Sequence, residues 1–144
     1  MLKGIPKILS PMLLKTLCEM GHADRLVIAD GNFPAESLGK NAIVIRMDGH
    51  GVPEILEAIL QVFPLDSYVE RPVSLMEKVA GDTTPTPIWE EFVQILEAHD
   101  EKRERVGFTE RFQFYEEAKQ AYLIIASSEK ALYANIMLQK GVVL

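Results

Sequence analysis

Five short and nearly unbroken apolar runs constrain the fold of this chain more than any other feature. They are residues 25–30, 41–47, 73–76, 122–126 and 134–138, and residues 106–109 form a weaker sixth candidate. Runs of this length are typical of strands, and the near absence of polar alternation is typical of strands that are buried on both faces. The pattern therefore predicts a sheet with a layer of structure on each side.

The segment before the first run has the signals of an amphipathic helix. Ser10 can cap its amino end, Pro11 fits the first turn, and Gly21 is expected to close the carboxyl end. Leucines at positions 13, 14 and 17 recur at helical spacing, and Cys18 falls on the same predicted face. This placement predicts that Cys18 packs inertly in the core.

Three further segments between the apolar runs are also predicted to be helical. Pro53 is expected to open a helix that ends at Pro64, and another helix is expected to follow the loop at residues 82–87. Thr109 can cap a helix over residues 111–121. Strands that alternate with helices in this way predict an α/β fold. We expect a three-layer α/β/α arrangement with a mixed, mostly parallel sheet of about six strands.

Length, charge and cysteine count limit the classes of function. The chain has 144 residues, 48% of them hydrophobic, which is the balance of one globular domain over residues 1–144. The net charge of −6 argues against a nucleic-acid partner, since phosphate binding needs a concentrated basic surface. No apolar stretch has the length of a signal peptide or a membrane span. With a single cysteine as well, a cytoplasmic protein with no membrane partner is expected.

Several common chemistries lack their motifs in this sequence. Neither G-x-G-x-x-G nor a Walker-type lysine motif is present, which argues against a phosphate-cradling loop. The three histidines, His22, His50 and His99, lie far apart, and no histidine or cysteine pair has the spacing of metal ligands. The sequence therefore predicts that there is no metal site.

His22 and Asp30 are the first candidate functional residues. His22 follows Gly21, and an imidazole that titrates near neutrality can pass protons in both directions. It can equally bond the carbonyl groups at the predicted helix end. Asp30 closes a buried strand, where a carboxylate is costly unless it is paired or functional, but before Gly31 it can equally form a turn. The residues alone leave both alternatives open.

Arg111, Tyr133 and Asn135 are the other candidates. Arg111 opens a predicted helix, where a cation is mildly unfavourable against the helix dipole, and this hints at a partner. Tyr133 and Asn135 alternate across the predicted start of a strand, so their side chains are expected to share one face. Together they can donate to and accept from sugar hydroxyls, or they can form a satisfied edge of the sheet.

A series of short segments extends the pattern over the whole chain. They are Leu2-Lys3-Gly4-Ile5, Leu9-Ser10-Pro11, Glu19-Met20-Gly21-His22, Ile28-Ala29-Asp30, Asn32-Phe33-Pro34-Ala35, Leu65-Asp66-Ser67-Tyr68, Gly81-Asp82-Thr83, Arg111-Phe112, Phe114-Tyr115-Glu116, Leu132-Tyr133-Ala134-Asn135-Ile136 and Lys140-Gly141-Val142. In this order they resemble the family of L-fucose mutarotase and D-ribose pyranase. The segments at 32–34, 65–68 and 114–116 look like the fucose branch.

The resemblance implies a cofactor-independent isomerase that interconverts the α and β anomers of a free monosaccharide, with L-fucose as the expected sugar. It implies that His22 is the catalytic proton donor. It also implies substrate contacts from a set of polar side chains, namely Asp30, Asp66, Arg111, Tyr115, Tyr133 and Asn135. Homo-oligomers, commonly ring-shaped decamers, with sites near subunit contacts are implied as well. Two alternatives remain, a D-ribose pyranase and a non-catalytic monosaccharide-binding module.

The predicted strand separates the two strongest candidates. At about 3.3 Å per residue, a straight strand over residues 25–30 with its flanks spans on the order of 20 Å. His22 and Asp30 then lie at opposite ends of it, too far apart to contact one pyranose. Either the loop at residues 21–24 folds back, or neighbouring subunits complete the site.

Overall fold

Six strands and five helices follow one another along the chain; the six strands and four of the helices were predicted, and the short helix after Pro34 was not. The structure, a computed structural model, describes residues 1–144. The strands are β1 (Arg25–Ala29), β2 (Ile43–Met47), β3 (Val73–Met76), β4 (Val106–Thr109), β5 (Leu123–Ser127) and β6 (Ile136–Gln139). The helices are α1 (Pro11–Glu19), α2 (Ala35–Leu38), α3 (Val52–Leu60), α4 (Pro87–Ala98) and α5 (Arg111–Lys119). No helix combines the length and the apolar composition that crossing a bilayer requires.

The strands form one sheet in the order β2-β5-β1-β6-β3-β4. All neighbouring strands are parallel except β6, which runs antiparallel to both β1 and β3. Arg25 at the start of β1 pairs with Gln139 at the end of β6, and Ile28 pairs with Ile136. The reversal of β6 therefore brings the residue before β6 to the carboxyl end of β1.

Helices cover both faces of the sheet. One face packs under α1, α3 and α4 in a cluster of 24 buried residues. On the other face α2 and α5 contribute to a cluster of 11 buried residues. In β1, Leu26 and Ile28 enter the larger cluster while Val27 and Ala29 enter the smaller, which explains why its sequence is apolar without alternation. The predicted three-layer α/β/α arrangement with a mixed, mostly parallel sheet is confirmed.

The start of α1 is confirmed, whereas the predicted cap of α5 is wrong. The Ser10 hydroxyl accepts from the backbone N–H of Leu13 at 3.2 Å. At α5 the cap is Glu110, whose carboxylate accepts from the second and third backbone N–H groups of the helix at 2.9 and 3.0 Å. Thr109 is unavailable because it ends β4 and its hydroxyl bonds that of Ser74 at 2.5 Å.

The prediction that Cys18 packs in the core is also wrong, because Cys18 is exposed. The buried positions of α1 are Leu13, Thr16 and Leu17. Thr16 takes the inward position that the apolar pattern assigned to cysteine, and its hydroxyl is satisfied by the carbonyl of Met12 at 2.8 Å. A hydroxyl that bonds its own helix can be buried without loss, and periodicity of apolar residues overlooks it.

Helix ends also differ from the predictions. The first helix ends at Glu19 rather than Gly21, because Met20 leaves the helix in an extended conformation and buries its side chain. The helix expected to run to Pro64 ends at Leu60. These shifts lengthen the loops that carry the candidate site residues.

Candidate functional site

The antiparallel pair of β1 and β6 has a group of polar side chains at each end. At the amino end of β1 lie His22, Asp66 and Gln139, which we call the amino-end cluster. At its carboxyl end Asp30 and Asn135 lie in a concave site that we call the carboxyl-end cavity. The two groups are built by different loops and have different chemistry.

The loop that carries His22 is fixed to the end of β6. Asp24 accepts from the backbone N–H of Gly21 at 2.7 Å, and Ala23, at φ +71, donates its own backbone N–H to the carbonyl of Lys140 at 2.9 Å. The loop therefore turns towards β6 and does not fold back along β1. His22 is left with 45% of its side chain exposed.

Asp66 is the buried partner of His22. Only 2% of its side chain is exposed, and its Oδ2 lies 3.1 Å from His22 Nε2 and accepts from Gln139 Nε2 at 2.9 Å. The other oxygen accepts from the backbone N–H of Tyr68 at 3.0 Å. The Tyr68 bond is the largest cause of the lowered pKa of Asp66, and the bonds from Gln139 and His22 lower it further. Because an ionised Asp66 can only accept a hydrogen bond, His22 Nε2 must carry a proton, and Nδ1 is the nitrogen that can exchange one.

Gly141 allows this arrangement. Its backbone N–H donates to the carbonyl of Pro64 at 2.8 Å, and a Cβ at this position would overlap the backbone of Leu65 and Asp66. The absence of a side chain lets the segment before Asp66 lie directly against the end of β6.

At the other end of the sheet, Asp30 and Asn135 form a reciprocal pair. The backbone N–H of Asp30 donates to Asn135 Oδ1 at 2.8 Å, and Asn135 Nδ2 donates to Asp30 Oδ2 at 2.9 Å. Both residues are buried. Burial raises the pKa of the Asp30 carboxyl, although hydrogen bonds from the Asn32 backbone and from Asn135 act in the opposite direction.

Arg111 and Tyr115 form one wall of the carboxyl-end cavity. They lie one turn apart on α5, and Arg111 Nε donates to the Tyr115 hydroxyl at 3.2 Å. Arg111 has no carboxylate partner within salt-bridge distance, and its pKa is raised chiefly by the Tyr115 contact. Its remaining N–H groups are therefore available to a ligand.

Tyr133 and Asn135 line the same cavity, but the reason predicted for it is wrong. The strand β6 begins only at Ile136, and Tyr133 has a left-handed backbone with φ +57. A local twist, rather than strand alternation, therefore brings the two side chains together. The hydroxyl of Tyr133 donates to Asp82 Oδ2 at 2.5 Å.

The carboxyl-end cavity has a volume of about 230 Å³, the size of one small polar molecule. Five of the residues with an implied site role line it, namely Asp30, Arg111, Tyr115, Tyr133 and Asn135. Sequence reasoning missed its other five lining residues, Asn32, Phe33, Met76, Asp82 and Leu132. Asn32, Phe33, Asp82 and Leu132 fall within the segments that carry the family resemblance, and that is the one signal that pointed to them.

His22 and Asp66 are not among the residues that line the cavity. The five residues of β1 lie between the two groups, and β1 alone spans about 13 Å at 3.3 Å per residue. A hydrogen bond spans about 3 Å, so no small molecule in the cavity contacts His22 of the same chain. The structure thus brings five predicted residues together and leaves His22 and Asp66 as a separate pair.

Other parts of the surface offer less chemistry. No group of three or more histidine, cysteine, aspartate or glutamate side chains is placed to hold a metal ion. A larger groove of about 660 Å³ follows the amino-terminal segment, and its charged side chains are those of Lys3 and Lys7. A groove with lysines and no carboxylate or imidazole lacks an acid–base pair for neutral pH.

Comparison with known proteins gives consistent matches over the whole length. Residues 3–143 match the model of the RbsD / FucU transport protein family. The fucose mutarotase of Homo sapiens is 48% identical over 145 residues, covering 98% of this chain and 94% of that protein. The structure of FucU from Bifidobacterium longum superposes with a TM-score of 0.97 at 66% identity, covering 99% of this chain and 100% of that one. The structure of a fucose mutarotase in complex with L-fucose from Streptococcus pneumoniae gives 0.94 at 48% identity with the same coverage.

Proposed function

The chain belongs to the RbsD / FucU family, as its sequence segments predicted, and on this premise we propose that it is a mutarotase that interconverts the anomers of free L-fucose. The observation that carries this proposal is the carboxyl-end cavity. It offers acceptors in Asp30 and in the hydroxyl oxygen of Tyr133, a donor in Arg111, and the amide group of Asn135. A neutral polyol needs this mixture of donors and acceptors.

The reaction needs an acid, a base and ligands for hydroxyl groups. Ring opening protonates the ring oxygen while the anomeric hydroxyl loses its proton, and the open chain recloses on the other face. We assign the acid to His22, whose Nδ1 is free to exchange a proton while Asp66 holds Nε2. Asp30 is the better base of the two carboxylates in the cavity, because its pKa is raised whereas that of Asp82 is lowered to about 2.

The other predicted residues take binding roles in this proposal. Arg111, Tyr133 and Asn135 bind sugar hydroxyls, and Tyr115 orients Arg111. For Asp66 we propose a different role from the substrate contact that the resemblance implied. Its carboxylate is buried and already bonded to His22, Gln139 and the backbone, which supports a role behind the imidazole. The reaction as written uses no cofactor.

A homo-oligomer completes the site in this proposal. Within one chain the proton donor and the sugar cavity lie at opposite ends of β1, so the His22 of one subunit must face the cavity of a neighbour. Exposed aromatic or apolar side chains lie at both ends. Tyr68 is 69% exposed and packs edge-on against His22; Leu132 in the cavity wall is 52% exposed, and Phe112, beside Arg111, is 66% exposed. Surfaces of this kind favour subunit contact. The family resemblance makes a decamer the expected assembly.

Saturation-transfer NMR on equilibrated L-fucose tests the activity directly. We expect the purified protein to exchange magnetisation between the two anomers and to act less on D-ribose, the substrate of the alternative pyranase function. His22→Ala should abolish the exchange while sugar binding remains. The control is His50→Ala, which removes an imidazole paired with Glu54 on the surface and should leave the exchange unchanged. Binding of L-fucose without any exchange would instead identify a non-catalytic sugar-binding module.

Co-expression of two inactive variants tests the shared site. Subunits with His22→Ala retain an intact cavity, and subunits with Asp30→Asn retain an intact proton donor. If neighbouring subunits share each site, random mixing at equal amounts restores about a quarter of the sites. The matched control combines His22→Ala with His22→Gln, neither of which has the proton donor, and should give no restoration. Equal activity of the two mixtures would contradict the shared site.

We also propose that the protein works in the cytoplasm. Its one cysteine, Cys18, is an exposed free thiol, which suits a reducing compartment. Fractionation of the native cells with an antibody against the protein would test this location, and recovery in a secreted fraction would contradict it.

A further inference from the structure

The hydroxyl of Tyr133 is bound by a loop to which the sequence assigned no function. This hydroxyl donates to Asp82 Oδ2 at 2.5 Å and accepts from the backbone N–H of Val79 at 3.4 Å. Both partners belong to the loop of residues 77–86, which connects β3 to α4. The backbone carbonyl of Tyr133 is bound as well, because Trp89 Nε1 donates to it at 2.9 Å. The position of Tyr133 in the cavity wall therefore depends on this loop.

A tight turn places Asp82 against Tyr133. The backbone N–H of Asp82 donates to the carbonyl of Val79 at 2.9 Å, and Gly81 occupies the third position of the turn with φ +84, where glycine avoids strain. Asp82 Oδ1 then accepts from the backbone N–H of Thr84 at 2.9 Å. One carboxylate thus holds its own loop with one oxygen and Tyr133 with the other.

The charges at this contact fix the direction of the hydrogen bond. The Tyr133 hydroxyl is the largest cause that lowers the pKa of Asp82 to about 2, so Asp82 stays ionised at neutral pH and can only accept. The same contact raises the pKa of Tyr133, so the phenol keeps its proton. With its single proton directed to Asp82, the phenol oxygen has only a lone pair to offer the cavity.

We propose that Asp82 is a positioning residue for sugar recognition, because it accepts the hydrogen bond of the Tyr133 hydroxyl and so presents the phenol oxygen to the cavity as an acceptor for a sugar hydroxyl. The inference rests on the proposed sugar site and adds a selective element to it. A tyrosine without such a partner can rotate its hydroxyl and act as donor or acceptor. With Asp82 in place, Tyr133 discriminates against a ligand that offers only an acceptor at that position.

A double-mutant cycle in the full-length protein tests the proposal. In Asp82→Asn the amide oxygen still accepts from Thr84, but the NH₂ group faces Tyr133. The Tyr133 hydroxyl then has no acceptor there, so its proton turns into the cavity. We expect Asp82→Asn and Tyr133→Phe each to raise the KM for L-fucose about three- to tenfold, the value of one neutral hydrogen bond, with kcat within about twofold. The KM of the double variant should be no higher than the higher of the two single-variant KM values, since both changes remove the same interaction.

Lys78→Met is the matched control for the loss of a contact within the 77–86 loop. Lys78 Nζ donates to the carbonyl of Thr84 at 3.0 Å, so its loss removes one contact within the loop, while Asp82 still bonds both Thr84 and Tyr133. We expect a wild-type KM for this variant, and thermal melting shows whether all variants fold. A raised KM for Lys78→Met, an unchanged KM for Asp82→Asn, or effects that multiply in the double variant would each overturn the proposal. A wild-type protein that exchanges no sugar would overturn the proposed function and this inference together.

Discussion

The two ends of the β1–β6 pair differ in what they can do alone. The amino-end cluster has a half-exposed imidazole with a buried carboxylate behind it, but neither of these two side chains lines the carboxyl-end cavity. The carboxyl-end cavity has the shape and the hydrogen-bonding groups to hold a small polyol, but no histidine. The proposed proton donor and the proposed sugar site are therefore separated on the chain by the length of a strand, and mutations at the two ends should have different effects on the reaction.

Loss of the cavity guanidinium is the change with the largest expected effect among four that would test this separation. Arg111→Ala should weaken L-fucose affinity by about 10- to 100-fold, the range for a hydrogen bond to a charged group. Thermal stability should change little, because Arg111 is exposed and has no carboxylate partner. Calorimetric titration and thermal melting measure the two quantities. Arg71→Ala is the control, because it removes another exposed arginine that lies outside the carboxyl-end cavity. An equal loss of affinity and stability in Arg111→Ala would contradict a binding role.

Replacement of the buried carboxylate should affect the opposite end alone. Asp66→Asn weakens the hold on His22 Nε2, so we expect kcat to fall about tenfold while the KM for L-fucose stays close to wild type. Steady-state kinetics from anomer exchange separate the two constants. A rise in KM with unchanged kcat would show instead that Asp66 contacts the sugar, as the family resemblance implied.

A smaller effect is expected where a residue acts through another in the cavity. Tyr115→Phe removes the hydroxyl that accepts from Arg111 Nε at 3.2 Å but keeps the ring, which packs against Phe33. We expect L-fucose affinity to fall about threefold, a fraction of the effect of Arg111→Ala. In the Arg111→Ala background, Tyr115→Phe should leave the L-fucose affinity unchanged, as measured by calorimetric titration. A further loss of affinity in this background would mean that Tyr115 binds the sugar independently.

The smallest effect concerns acid stability at the cavity loop. The pKa of Asp82 in the folded protein is about 2, below its ordinary value of 3.8, through Tyr133 and Thr84. A lowered pKa contributes stability that is present above pH 3.8 and is lost as the pH falls from 3.8 towards 2. The difference in Tm between wild type and Asp82→Asn should therefore shrink over this interval. Thermal melts from pH 7 to pH 2 check this, and a constant difference would show that Asp82 does not titrate as stated.

Much of the architecture could be predicted because its signals are local. The strand β1 needed only an unbroken apolar run, and the buried Leu26 and Val27 on its two faces explain why that signal was clear. The helix cap at Ser10 was equally local. The prediction failed for Cys18 and Thr109, where a competing partner decided the outcome: Thr16 satisfies its hydroxyl within the helix, and the hydroxyl of Thr109 already bonds that of Ser74.

The candidate site was predicted less evenly. Asp30 was recognisable as a carboxylate at the end of a buried strand, and the resemblance alone added Asp66 and Tyr115. Apart from its place in the Gly81-Asp82-Thr83 segment of the resemblance, Asp82 carried no signal, because its proposed role depends on a bond to Tyr133, 51 positions away in the sequence. No periodicity or motif records a contact of that range.

The sequence by itself determined most of the strands and helices and the family, because these follow from the pattern and length of short segments. Only the tertiary structure decided which side chains meet. The antiparallel return of β6 brings Asn135 to Asp30 and Gln139 to Asp66, and the 77–86 loop brings Asp82 to Tyr133. Such contacts depend on how distant segments pack in three dimensions, and a chain read in one dimension contains no measure of that distance.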